Sequence, residues 1–455
     1  MRESYDLIIA GATIVSHAGE GSADIGVREG KTAAIGDLGL AAAAERIDAR
    51  GLHLLPGVID SQVHFREPGL EHKEDLASGS EAAVLGGVTA VFEMPNTSPP
   101  TATRAALEDK IARATDRMRC DFAFYVGATG ENSGELARLE ILPGCAGVKV
   151  FMGASTGSLL VSDDDALREV LLHGRRRVAI HAEDEPRMIA RKGLRRAGDP
   201  QSHAEWRDVE SALIATRRIV ALARETGRRI HVLHVTTAEE MAFLAGHKDI
   251  ASVEATPQHL TLAAPDCYER LGTFAQMNPP IREARHRDAL WRAVAEGVVD
   301  VIGSDHAPHT REEKARPYPD SPSGMPGVQT LLPLLLDHVA AGRLSLARLV
   351  DLTSHGVARL FGLSTKGRLA VGYDADYTLV DLKSRWRIEE DWLASRCGWS
   401  PFAGMELTGR PVMTVLRGRT VMREGTLVGT ACGRPILFQD SMGAGSKSGS
   451  PQAMK

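Results

Sequence analysis

The feature that most limits what this chain can become is an alternation. Between about residue 56 and residue 366, eight short apolar runs follow one another: LLPGVID, VTAVFEM, DFAFYVG, AGVKVF, RVAIHA, RIHVLHV, SVEAT and VDVIGS. Stretches with helical character lie between most of them. One covers residues 208–226, with Val209, Leu213, Val220 and Ala223 near one stripe and Gly227 as a stop. Another covers 163–172, with Ser162 as the expected N-cap. Parallel strands need crossover connections, usually helical, and eight such units predict a closed (β/α)₈ TIM barrel. An open doubly wound sheet is the alternative. Its dinucleotide-binding form has no support, because no GxGxxG opens a helix after the first strand.

The two ends read differently. Residues 1–55 (YDLIIAGATIV, ADIGVREGKTAAIGD, ERIDARG) and 367–435 (GRLAVGYDADYTLVDL, PVMTVLRGRTVMREGTLV) are short β segments broken by glycine-rich turns. We expect them to combine into one small β-sandwich beside a barrel of residues 56–366, bringing the termini together. The tail 443–455, GAGSKSGSPQAMK, is small and polar and is expected to be disordered.

Composition excludes several roles. The chain has 455 residues, enough for a barrel and an accessory domain, and 43% are hydrophobic, enough for a large core. Its net charge of −5 comes from interspersed acids and bases, which argues against nucleic-acid or membrane-surface partners. There is no signal-peptide pattern and no apolar run long enough to span a bilayer. Five scattered cysteines without CxxC spacing fit reduced thiols, and hence a cytoplasmic protein, better than disulfides or a cysteine zinc site.

Polar residues then fall where a barrel puts its chemistry. Asp60, Gln62, His64 and Arg66 follow the first strand and Lys149 lies in the fourth. His181, His234 and Asp305 end the fifth, sixth and eighth. The C-terminal strand ends of a barrel converge on one mouth, so these groups are expected to meet there. Each would be costly to bury unless paired or bound to metal. Imidazoles and carboxylates suit zinc or a similar divalent ion, which makes water nucleophilic near neutral pH. A buried Lys149 beside cations would lose its proton or change chemically, carbamylation by CO₂ being one route; a lysine on the outer face of the barrel is the other reading.

These residues resemble a family. The run Asp60–Gly69, DSQVHFREPG, resembles the DxHxHxREPG motif of the dihydroorotases of the cyclic amidohydrolase superfamily. So do Met94-Pro95-Asn96-Thr97, GVKVFM around Lys149, HAED at His181, HVTT at His234, Asn278-Pro279-Pro280-Ile281-Arg282, and Asp305-His306-Ala307-Pro308-His309. The likeness spans roughly residues 1–435, although DHAPH is shared with hydantoinases and allantoinases. It implies one or two zinc ions held by His64, His181, His234 and Asp305 and bridged by carbamylated Lys149. It also implies that Asp305 shuttles the proton and that Arg66, Asn96, Asn278 and His309 hold the substrate. The implied reaction is reversible hydrolysis of dihydroorotate to N-carbamoyl-L-aspartate, in pyrimidine biosynthesis, by metal-bound hydroxide. An arginine at position 66 suits a ring carboxylate, which hydantoin and allantoin lack.

The chain departs from the motif at its first histidine, which is Gln62 here, and from TPHHL at Gln258, to which no role is assigned. An amide oxygen is a poorer zinc ligand than imidazole, so the site fed by Gln62 is expected to bind metal more weakly. Other readings are another cyclic amidase, hydantoinase- or allantoinase-like, and a silent dihydroorotase-like subunit scaffolding aspartate transcarbamoylase. A homodimer, with that transcarbamoylase as a further partner, is the expected assembly. Residues 310–325, TREEKARPYPDSPSGM, follow the Asp305 strand and have the composition of a mobile lid.

Overall fold

The computed structural model describes residues 4–154 and 159–442; the tail 443–455 lies outside them. Eight parallel strands run in sequence order: Val58–Val63, Val88–Glu93, Asp121–Gly127, Cys145–Phe151, Val178–His181, Ile230–Val232, Ala251–Ala255 and Val301–Ile302. The ring is completed just past the last strand. Val63 bridges His306 in parallel register, and the His64 N–H donates to the His306 carbonyl at 2.7 Å. The predicted (β/α)₈ barrel is thus the observed architecture.

The elements form for local reasons. The helix Val209–Thr226 starts at Asp208, whose carboxylate accepts from the Ser211 N–H, and stops at Gly227, which adopts φ 69°. It buries Leu213, Ile219, Val220 and Ala223. In the helix Asp164–Leu172 the cap is Asp163, which accepts from the Ala166 N–H, rather than the expected Ser162. Ser162 is one residue outside, and its carbonyl accepts from Arg218.

The first strand is longer than the sequence implied. Asp60 and Gln62 lie within it, and only His64 and Arg66 follow. The sixth and eighth strands are shorter, so His234 and Asp305 stand two and three residues beyond their ends.

The barrel's interior is layered. Its N-terminal half is apolar: Ile59, Phe92, Ala123, Ala146, Ala179 and Val301 pack against Val357 and Phe361 of the helix Gly356–Phe361, and against Ile436 and Phe438. The three alanines leave room for these rings, and Phe92 meets Phe361 edge to face at 5.1 Å. Above this plug lies a polar layer in which Glu254 accepts from Ser61 Oγ at 2.8 Å. Gly303 is required there: a Cβ would come 2.6 Å from Glu254 Oε2. The catalytic level is built on top.

Both chain ends contribute to the remaining sheets. The strands His53–Pro56, Thr13–Ser16 and Gly19–Ser22 join Tyr377–Arg387, Glu406–Leu416, Arg419–Arg423 and Thr426–Leu427 in one seven-stranded sheet. A four-stranded sheet from residues 4–48 shares a core with it, including Leu7, Ile9, Ile25, Leu54, Tyr377, Leu379 and Val415. Residues 367–376 contribute no strand. At the junction with the barrel, Lys366 Nζ bonds Asp121 and Asp376 at 2.5 Å each and lies 3.2 Å from Asp374. Among the described residues no helix is long and apolar enough to cross a membrane.

Candidate active site

The C-terminal mouth holds a pocket lined by nine of the eleven residues singled out from the sequence: Gln62, His64, Arg66, Asn96, Lys149, His181, His234, Asn278 and Asp305, Asp60 lying within the first strand and outside the lining. Phe151, Ala307, Ser323 and Gly324 complete it. The eleventh, His309, stands behind the wall. Its Nε2 faces Arg66 at 3.4 Å and the Ser323 carbonyl at 3.0 Å, so it meets the pocket through those two lining residues.

The donors converge as two pairs. His181 Nδ1 and His234 Nε2 are 3.1 Å apart, while His181 Nε2 lies 2.9 Å from Glu183 Oε2. With that nitrogen donating to Glu183, His181 Nδ1 carries the lone pair and turns it toward His234 Nε2. Arg207 grips Glu183, with NH2 2.7 Å from Oε2. Burial pushes the Glu183 carboxyl up, but Arg207 and His181 outweigh it and hold it well below the usual range. In the second pair, Asp305 Oδ1 lies 3.2 Å from His64 Nε2 and accepts from Gln62 Nε2 at 2.9 Å. His64 Nδ1 is fixed by Asn96 Oδ1 at 2.7 Å. Lys149 Nζ is fully buried in the same pocket, 4.4 Å from the centre of the Phe151 ring.

Burial governs the protonation states here. It is the main reason His64, His181 and His234 are all shifted below the ordinary imidazole value, leaving them neutral, the form that ligates. Burial likewise pushes the Lys149 ammonium down and the Asp305 carboxyl up.

This donor set fits a divalent metal. Gln62 Oε1, Lys149 Nζ and His234 Nδ1 are buried without a hydrogen-bond partner, a cost native interiors avoid unless something else binds there. Two nitrogens on one tetrahedral zinc would be ~3.4 Å apart, close to the His181–His234 separation. By contrast, the carboxylates of buried Asp121 and Asp376 and half-buried Asp374, close enough together to hold an ion, already surround Lys366 Nζ, and Arg417 pairs with Asp121. The ammonium stands where a cation would, so that cluster is a structural ion-pair network.

Backbone geometry at the mouth is unusual. Arg66, His234 and Asp305 have φ of 66°, 37° and 45°, left-handed values that few non-glycine residues adopt; four others in the chain do so away from the mouth. Their surroundings hold them there. Asp60 Oδ1 accepts from the Ser304 N–H at 2.9 Å, and Gln258 Nε2 donates to the Ser304 carbonyl at 2.7 Å, both beside Asp305. Gln258 therefore has a role after all. His203 Nε2 approaches Asn278 Oδ1 at 2.9 Å. Sequence reasoning missed Glu183, Arg207 and His203. Only Glu183 carried a signal, two residues beyond His181 in the quoted HAED.

Residues 310–325 form one wall. The helix Arg311–Lys314 starts with a capping box from Thr310 to Glu313. Lys314 Nζ is buried and donates to the carbonyls of Gln276 and Pro322, each at 2.9 Å. The segment is thus tied down at its centre.

Three imidazoles, a carboxylate and a buried lysine at the C-terminal mouth of a (β/α)₈ barrel define a barrel hydrolase. The chain belongs to the amidohydrolase family, whose model matches residues 53–421, and it is a hydrolase acting on cyclic amides. A dihydroorotase of Halobacterium salinarum is 41% identical over 410 residues, covering 86% of this chain and 94% of that protein. An allantoinase of Rubrobacter xylanophilus is 37% identical, covering 97% and 99%. The solved structure of an L-hydantoinase from Arthrobacter aurescens superposes with a TM-score of 0.90 at 32% identity, covering 95% and 99%.

Proposed function

We propose that this chain is a dihydroorotase, interconverting dihydroorotate and N-carbamoyl-L-aspartate. The observation that carries the choice among cyclic amides is Arg66. Its guanidinium is 1% exposed, lines the pocket, and forms no ion pair among the described residues; its bonds go to the Pro308 carbonyl and His309. A buried guanidinium with no carboxylate in contact, although Asp305 and Glu93 act on it from a distance, suits an anionic ligand, and a ring carboxylate offers the matching two-oxygen edge.

His181 and His234 would hold one divalent ion, zinc in our reading, and His64, Asp305 and Gln62 Oε1 a second, with Lys149 in the same pocket. A bound ion lowers the pKa of water and polarises a carbonyl. Asp305 takes the proton of the attacking water and returns it to the ring nitrogen as the C–N bond breaks. Arg66 holds the carboxylate, and Asn278 and Asn96 border the ring. Lys149, favoured as the neutral amine by burial, reacts with CO₂ to form a carbamate and release one proton. A carbamate there would supply an anionic ligand for bound metal; its test is a mass gain of one CO₂ in the native protein that acid removes. The intact set of Lys149, Asp305 and three histidines favours an active enzyme over a silent subunit. A homodimer and a transcarbamoylase partner are proposed on the family resemblance alone.

The deciding experiment is turnover of dihydroorotate beside hydantoin and allantoin. Preference for dihydroorotate, lost in Arg66→Lys, supports the reading; preference for an uncharged ring overturns it and leaves the broader class standing.

A further inference from the structure

At the opposite end of the barrel a second concavity gathers arginines. Arg175, Arg176 and Arg177 lead into the fifth strand, Arg229 precedes the sixth, and Arg359 projects from the helix that plugs the barrel floor. Asp440 is the single carboxylate in its lining, and it is taken: Arg176 Nε and NH2 hold its two oxygens at 2.9 and 2.5 Å, with Arg175 3.8 Å away. No carboxylate forms an ion pair with Arg177, Arg229 or Arg359 among the described residues. Arg177 NH1 donates to the Ile230 carbonyl at 3.2 Å. Burial lowers its pKa to about 10, and the proximity of Arg229 and Arg359 adds to the fall, which Asp300, beyond ion-pair contact, partly opposes.

This arrangement is out of keeping with the rest of the surface. The chain carries a net charge of −5, and its other helix-face arginines are commonly matched, as Arg187 is with Asp208, Arg218 with Asp164 and Asp184, and Arg224 with Asp249. Like charges gathered in a recess destabilise the fold unless something of opposite sign uses them. The residues that follow Met442 contain no Asp or Glu, so none of their side chains supplies the missing charge.

We propose that this recess binds a small polyphosphate-bearing molecule. Arginine forks pair bidentately with phosphate oxygens, and three guanidiniums without a carboxylate in ion-pair contact suit two or more linked phosphates better than one isolated anion. Ala146, Leu360 and Phe361 provide an apolar floor beside the charges, on which the organic portion of a nucleotide can rest. The recess lies at the N-terminal end of the barrel, away from the catalytic mouth, so a ligand here does not compete with substrate for space.

The test is isothermal titration of the full-length protein with inorganic tripolyphosphate and, separately, with a nucleoside triphosphate, beside the double variant Arg229→Gln/Arg359→Gln. Both residues are exposed; thermal melts check the fold, and Arg359→Glu is the reserve variant. Any binding through metal at the catalytic mouth is common to all these proteins, so the difference reads the recess. We expect saturable binding, at least about tenfold weaker in the double variant, with ligand-free turnover unchanged. Equal affinity in both proteins, or no saturable binding, overturns the proposal. A nucleotide binding more tightly than tripolyphosphate assigns a role to the apolar floor, and equal affinities assign the site to phosphate alone. Tighter binding of a single-stranded oligonucleotide than of either overturns the small-molecule assignment.

Discussion

Gln62 shows how one substitution redistributes a site. Its amide donates to Asp305, leaving Oε1 buried and unsatisfied, whereas an imidazole would present a lone pair without engaging that carboxylate. Gln62→His should therefore tighten metal binding at the His64–Asp305 pair and leave the His181–His234 pair unchanged. Metal titration of chelator-treated protein reads both, and two equally tight sites in the native protein would show the substitution to be neutral. Glu183→Gln should act on the other pair, lowering metal affinity about 10–100-fold, because His181 loses the carboxylate that fixes its tautomer. Metal analysis after dialysis measures it. Asp305→Asn should cost about 10²–10⁴ in kcat in a steady-state assay even where metal is retained, because an amide cannot carry the proton.

At the scale of elements, strands and their order were legible because alternating apolar runs leave few topologies. The meeting of His64, Lys149, His181, His234 and Asp305 was legible because a barrel sends every strand end to one face. Strand limits at the mouth were not, since Arg66, His234 and Asp305 leave β geometry there, and left-handed backbone has no side-chain signature in a histidine or an arginine. Arg207 and His203 were invisible for another reason: they approach the site from residues 202–207, outside any strand, and only packing brings them in. The wall at residues 310–325 gives a test at this scale. Burial lowers the Lys314 pKa to about 7, so the unfolded chain holds a proton that the folded one lacks between about 7 and 10.5. The associated stability is full above the unfolded value and is lost as pH falls through about 7. Lys314→Met should remove that dependence, and thermal melts at pH 7 and pH 10 should show the native protein gaining on the variant as pH rises.

For the whole molecule, the contact between barrel and sandwich is electrostatic at its centre. Lys366 is 6% exposed among three carboxylates, one from a barrel strand and two from the segment entering the sheet. Removing it leaves the buried Asp376 without a cationic partner, while Asp121 keeps Arg417 and Asp374 keeps Lys31. Lys366→Met should cost ~3–5 kcal/mol in denaturant unfolding, with the active-site residues untouched.

The apolar plug formed by Phe361, Ile436 and Phe438 makes the catalytic chamber a dead end. Traffic is consequently single-file through one doorway: a molecule that has reacted must back out before the next enters. In a reversible reaction, whatever accumulates outside that doorway decides the direction of flux. Any enzyme that hands its product directly to this one would dock over the rim, because among the described residues the plug fills the barrel floor.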